Sequence, residues 1–222
     1  MIKPLEEGDA AMELTLRYSG LLTSNGDKNE KHRIRKELHP QIETLWKRDT
    51  RLSDKYSDLL DLQTPSLAGN KFEVPRPLKR NKDFWWRHPL NGWNFIPLFT
   101  RIHEAHCELS VRIYRKTESR GVLFEGGDID NRLKTFLDAL TVPMRPDQSP
   151  NEAASENPND WPPLMCLMDD DRSVTKLTVQ SIRMLTEPPP SVRDTTNYVE
   201  LDVDVIITPV LPLMGTMELM HP

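Results

Sequence analysis

Gly126-Gly127-Asp128-Ile129-Asp130-Asn131-Arg132-Leu133-Lys134-Thr135-Phe136-Leu137-Asp138-Ala139-Leu140 is the stretch on which the fold turns. It reads as a glycine turn feeding an amphipathic helix. Leu133, Phe136, Leu137 and Leu140 fall at i, i+3, i+4 and i+7, which predicts one apolar face. Asp130, Lys134 and Asp138 fall at i, i+4 and i+8, a separate polar face. Asp128 stands just ahead, where the two glycines allow positive φ. Two carboxylates and one ammonium can therefore converge at a helix start. A second acidic cluster, Asp169-Asp170-Asp171, follows downstream.

Strand signals surround this helix. Residues 105–115 alternate through Leu109, Val111 and Ile113. Residues 174–184 carry Leu177 and Val179 on one face. Residues 198–207 alternate through Val199, Leu201, Val203, Val205 and Ile207, with Glu200, Asp202 and Asp204 turned outward to solvent. Near the N-terminus, Glu13-Leu14-Thr15-Leu16-Arg17-Tyr18 predicts another strand. Residues 29–48 read as helical, with Ile34, Leu38, Ile42, Leu45 and Trp46 as the buried stripe. Pro40 is expected to interrupt that helix or to start a second one. A short helix is expected at 53–63. Six prolines between 143 and 163 predict a mobile loop. The order strand, helix, strand, helix, strand, strand implies a single α/β domain with a mixed sheet.

Composition narrows the class. The chain has 222 residues, 28% of them charged, and a formal net charge of −5. That sum does not announce a nucleic-acid binder, but the distribution is uneven. Residues 31–51 hold seven Lys/Arg against three acids, and residues 71–88 hold six against two. Both segments are candidate phosphate-tracking surfaces, with a plain solvated face as the alternative. Trp85, Trp86, Trp93 and Phe95 lie among Lys79, Arg80, Lys82 and Arg87. They could stack on unpaired bases, but sealing a satellite core is the favoured reading. No apolar run is long enough for a membrane span, and the N-terminus lacks the apolar core of a signal peptide. Cys107 and Cys166 are far apart, without metal spacing, and are expected as reduced thiols. His32, His39, His103 and His106 have no zinc-ligand spacing.

The pattern Asp128-x-Asp130-Asn131-x-x-Lys134-x-x-x-Asp138-Ala139-Leu140, followed by Asp170-Asp171-x-x-Val174 on the approach to a strand, resembles the RusA family of Holliday-junction resolvases. The likeness extends more loosely to the strand Glu13–Ser19 and to the strands at 105–115, 174–184 and 198–207. It does not cover residues 50–100, and it departs at 141–168. It implies a RusA-like single α/β domain over residues 1–222, with a mixed sheet of about four strands packed with helices and long loop insertions. Residues 12–48 would be the N-terminal strand and basic helix, 50–100 an insertion, 105–207 the catalytic core and 208–222 a tail.

The resemblance further implies a magnesium-dependent endodeoxyribonuclease that resolves Holliday junctions by paired nicks in recombination and repair. It would act as a homodimer on branched DNA, in the cytoplasm of a bacterium or encoded by a phage, with manganese as a possible substitute. Magnesium prefers hard oxygen ligands and keeps several waters, so a few carboxylates suffice. The expected ligands are Asp128, Asp130 and Asp171, with Asp170 as a further ligand or neighbour. Lys134 would offset charge on the transition state or orient the attacking water. Asn131 would fix a carboxylate or the scissile phosphate, and Asp138 would pair with a basic side chain. Arg33, Arg35, Lys36, Lys79, Arg80 and Lys82 are the expected DNA contacts. Alternatives are a binding module of the same fold that does not cut, and a broader flap or branch nuclease. Each feature has a bland counterpart: an ordinary i,i+4 surface pair for Asp130/Lys134, and a turn for the aspartate triplet.

Overall fold

A computed structural model describes residues 11–49, 52, 87–100, 105–116, 129–151 and 161–209. Its elements run β1 (Met12–Leu21), α1 (Lys28–Arg48), β2 (His88–Leu90), β3 (Trp93–Phe99), β4 (Ala105–Arg115), α2 (Ile129–Leu140), β5 (Pro163–Met168), β6 (Val174–Arg183) and β7 (Tyr198–Pro209). The fold is mixed α/β with two mixed sheets. The larger sheet has the order β1-β7-β4-β6, in which only β4 and β6 run parallel. Its strands are the four that residue alternation predicts. The expected helix at 53–63, together with Trp85 and Trp86, lies outside the described residues.

The smaller sheet, β2-β3-β5, is a departure from the expected single sheet. Asn91 and Gly92 take φ of 48° and 91°, the left-handed conformations that a tight β2–β3 hairpin requires. Pro97 lies within β3, although it can donate nothing to the ladder. Around this sheet Phe95, Val142, Leu164 and Cys166 form a small second core with Leu90 and Trp93 against it. The satellite-core reading thus holds for Trp93 and Phe95. Part of the expected loop at 143–163 is also ordered. Pro146–Gln148 is a 3-10 turn, and Asn91 Nδ2 donates to the carbonyls of Pro146 and Ser149.

Helix α1 is continuous through Pro40, against the expected break. Pro40 and Lys36 both face solvent, so water can take the Lys36 carbonyl that loses its N–H partner. Asp27 caps the helix by accepting from the Glu30 N–H at 2.9 Å. The Glu30 carboxylate accepts in turn from Thr23, from its N–H and from Oγ1, at 2.6 Å each. The turn ahead of α1 presses on α2: the Gly26 N–H donates to Thr135 Oγ1 at 3.0 Å. A Cβ at Gly26 would collide with Thr135 Cγ2, so only glycine permits this approach.

Helix α2 is turned slightly from the expected phase. Its buried residues are Arg132, Thr135, Phe136, Ala139 and Leu140, while Leu133 and Leu137 are only partly covered. The cause is Arg132, which is 2% exposed. Its guanidinium donates to the Leu22 carbonyl at 2.6 Å and to Asn197 Oδ1 at 2.7 Å. Burying so large a cation requires these acceptors, and meeting them fixes the helix rotation. Among the described residues no helix is long and apolar enough to cross a membrane. Cys107 and Cys166 are free and buried, and burial pushes their thiols up to about 11 and about 12.

Arg132→Ala leaves the Leu22 carbonyl without its donor and opens a cavity. It should lower the unfolding free energy in a urea titration by about 2–4 kcal/mol, with Arg132→Lys recovering part of the loss. A pH effect follows from His39, whose Nδ1 accepts the Met165 N–H at 3.0 Å. Burial holds this imidazole below its ordinary value of 6.5. The unfolded chain takes the proton more readily, so stability is intact above that value and falls as the pH drops below it. Burial depresses His88 in the same sense. Thermal unfolding should show a lower Tm at about pH 5.5 than at about pH 7.5. The difference should shrink in His39→Gln, whose amide oxygen can accept the same N–H.

Candidate phosphodiester site

Asp130 opens α2 in its first turn, and Asn131 and Lys134 follow on the solvent side. All three are exposed because Arg132, between them in sequence, is turned inward. A carboxylate at this position also gains from the positive end of the helix dipole. Asp128 lies outside the described residues, as do Lys79, Arg80 and Lys82. Asp138, on the same side of the helix as Lys134, pairs with Lys31 at 2.7 Å, the structural role that the sequence suggests. The pair is partly exposed and contributes at most about 1 kcal/mol.

The downstream aspartates are positioned elsewhere. Asp170 caps a 3-10 turn, Asp171–Ser173, by accepting from the Arg172 N–H at 2.9 Å. Asp171 is exposed at the start of that turn. The turn leads directly into β6, whose Val174 is paired with Cys107 near the beginning of β4. Cys107 is in turn level with Ile207 and Met12. Arg132, by contrast, is tied to Leu22 and Asn197, beyond the opposite ends of β1 and β7. About nine residues of strand separate the two ends, on the order of 30 Å.

Helix α2 rises from the Leu22 end and delivers Thr141 to a bridge with Met168. Asp130 therefore stands at the far end of a helix roughly 16 Å long from the point where the acidic segment begins. Along this register Asp171 enters β6 at the Met12 end of the larger sheet, whereas Arg132, two residues after Asp130, is tied to its Leu22 end. Among the described residues, no three His, Cys, Asp or Glu side chains are grouped to hold a metal ion.

The basic helix divides by face. Arg33 is exposed and donates from Nη2 to the Leu21 carbonyl at 2.6 Å, and Lys36 is exposed. Arg35 is 3% exposed, so the expectation of a surface DNA contact is corrected. Its Nε donates to the Thr141 carbonyl at 3.1 Å and its Nη2 to the Asp138 carbonyl at 2.7 Å. It thereby satisfies carbonyls that the end of α2 leaves without helical partners. The signal was present in the sequence: Arg35 shares a helical face with Leu38, Ile42 and Trp46.

Between α1 and α2 lies a cavity of about 370 Å³. Lys28, Lys31, Arg35, Lys134 and Arg145 contribute cations to its walls, against the carboxylates of Asp27, Asp138 and Asp147. Neither Lys28 nor Arg145 was singled out from sequence. Lys28 shares the face of Lys31 and Arg35, whereas Arg145 arrives from the proline-rich segment and carried no signal.

Comparison with protein-family models, with curated proteins and with solved structures finds no match to this chain.

The structural role of Arg35 is separable from DNA binding. Arg35→Met should cost about 1–3 kcal/mol of stability in the absence of any nucleic acid. Lys36→Ala should stay within about 0.5 kcal/mol in the same denaturant titration.

Proposed function

We propose that this chain is a magnesium-dependent, structure-selective endonuclease of branched DNA, of the kind the RusA-like pattern implies. The observation that carries the reading is the exposed Asp130/Lys134 pair at one helical turn, with Lys134 on the wall of a cavity rich in cations. A phosphodiester needs both parts: hard oxygen for a divalent ion, and fixed positive charge for the phosphate. Asp130, and Asp128 two residues before it, are the oxygen donors the pattern nominates. Magnesium bound there would supply Lewis-acid polarisation of the phosphate and a more acidic water.

The chain's own contribution is positioning. Lys134 offsets negative charge on the non-bridging oxygens as the phosphorus becomes five-coordinate. Lys31, held by Asp138, adds to the positive field on the same side. A homodimer would present two such sites to a two-fold symmetric junction. Asp170 and Asp171, which the pattern also nominates, lead into β6 at the end of the larger sheet opposite the Arg132 contact. That separation favours the second reading, a module of the same fold that binds branched DNA without cutting it.

Synthetic duplex, flap and four-way junction DNA, each incubated with magnesium or with chelator, separate the two. The nuclease reading expects symmetric, magnesium-dependent nicks on the four-way junction. It expects none from Asp130→Asn and a rate on the order of 100-fold lower from Lys134→Ala. Equal cutting of flaps would widen the substrate to branched DNA in general. Junction retention in a gel shift, with no nicking under magnesium or manganese, would replace the nuclease with the binding module.

A further inference from the structure

The cavity between α1 and α2 is built unlike an ordinary solvated charged face. Among the described residues, five cationic side chains meet three carboxylates there, an excess of two positive charges. The carboxylates are largely committed. Asp27 is the α1 cap, Asp138 pairs with Lys31, and Asp147 lies 3.6 Å from Arg145. Lys28 and Lys134 are exposed and have no ion pair among the described residues.

The decisive group is Arg35. It is 97% removed from solvent, and two of its three nitrogens are spent on the α2 carbonyls. The third, Nη1, is buried with no hydrogen-bond partner. Nη1 has no surface open to water, so an anion in the cavity meets Arg35 as a positive charge just behind the wall and not as a hydrogen-bond donor. Arg35 itself cannot move away, because the end of α2 holds its other two nitrogens. The result is a fixed positive charge with ammonium groups around it, which suits a compact oxyanion.

We propose that the cavity between α1 and α2 is a phosphate-binding pocket, with Arg35 as a fixed charge behind its wall and Lys28, Lys31, Lys134 and Arg145 as its surrounding cations. Its volume lies at the small end of ligand sites, enough for one phosphate or pyrophosphate with ordered water. The pocket needs no cleavage chemistry. Its assignment to a phosphate carried by a DNA strand, rather than to free phosphate, rests on the function proposed above.

Isothermal titration of the full chain with inorganic phosphate and with pyrophosphate, at low ionic strength, tests the pocket. The expected result is saturable binding, tighter for pyrophosphate. Affinity should fall on the order of tenfold in Arg35→Met, which removes the charge behind the wall. Lys28→Glu combined with Arg145→Glu should abolish binding. Both substituted positions in that pair are exposed on the rim, so its circular dichroism and its Tm without phosphate should match wild type. It therefore remains informative even if Arg35→Met fails to fold.

A 5′-phosphorylated oligonucleotide that displaces pyrophosphate assigns the bound group to a strand. Absence of competition assigns it to free phosphate, and either outcome retains the pocket. No saturable binding by wild type, or undiminished binding by the rim variant, overturns it. Junction nicking without phosphate binding would leave the nuclease standing and remove the pocket. Phosphate binding without nicking would do the reverse.

Discussion

A buried guanidinium governs what this protein presents to solvent. Arg132 sits inside with the Leu22 carbonyl and Asn197 Oδ1 receiving it where β1 ends and β7 begins. That pair of hydrogen bonds sets the rotation of α2, which in turn sends Asp130, Asn131 and Lys134 outward. The same bonds anchor the start of the helix to one end of the larger sheet. Arg35 performs the complementary task at the other end of α2, filling carbonyls that the helix leaves open. Two arginines thus fix the rotation and the termination of the helix that carries the site.

Much of this was legible from residue order, and the unread parts have physical causes. Alternation located all four strands of the larger sheet; β1, β4 and β7 each bury one face with a period of two, while the edge strand β6 stays largely exposed. The smaller sheet escaped because β3 and β5 are nearly continuous apolar runs buried on both faces, which carry no alternation. Pro97 further disguised β3. The Asn91-Gly92 pair was nonetheless a hairpin signal, and it is the one overlooked clue to that sheet. The rotation of α2 was misjudged because apolar counting treats every arginine as outward. Arg132 lies at the centre of the buried face, just as Arg35 lies within that of α1. An arginine flanked at i+3 and i+4 by Thr135 and Phe136, or at i+3 and i+7 by Leu38 and Ile42, is a candidate for burial when a carbonyl can receive it.

Long-range position is what the sequence could not supply. Asp128-x-Asp130 and Asp170-Asp171 are two acidic groups with familiar spacing, and spacing alone suggests convergence. Whether they meet depends on which end of the sheet each helix and turn returns to. The parallel pairing of β4 with β6 decides this for Asp171, because a parallel strand must be entered from the same end as its neighbour. The contact of Arg132 with Leu22 decides it for Asp130. Neither pairing is encoded within either motif. Asp170 shows the same limit at short range, since its carboxylate is already occupied as a turn cap.

The electrostatic pattern then explains how a chain of net charge −5 can still offer a phosphate a positive surface. On the outer face of the larger sheet the acids are paired across strands. Asp202 meets Arg17 and Arg112, and Asp204 meets Arg112, at 3.0–3.9 Å. Glu108 meets Lys176 at 2.8 Å, and beyond the strand ends Glu187 meets Lys116 at 2.7 Å. These exposed pairs add little stability, but they cancel each other's field at a distance. Between α1 and α2, among the described residues, the cations lining the cavity outnumber the carboxylates. A polyanion approaching this protein is therefore steered by where charge is left unbalanced, and net charge is a poor guide to that place.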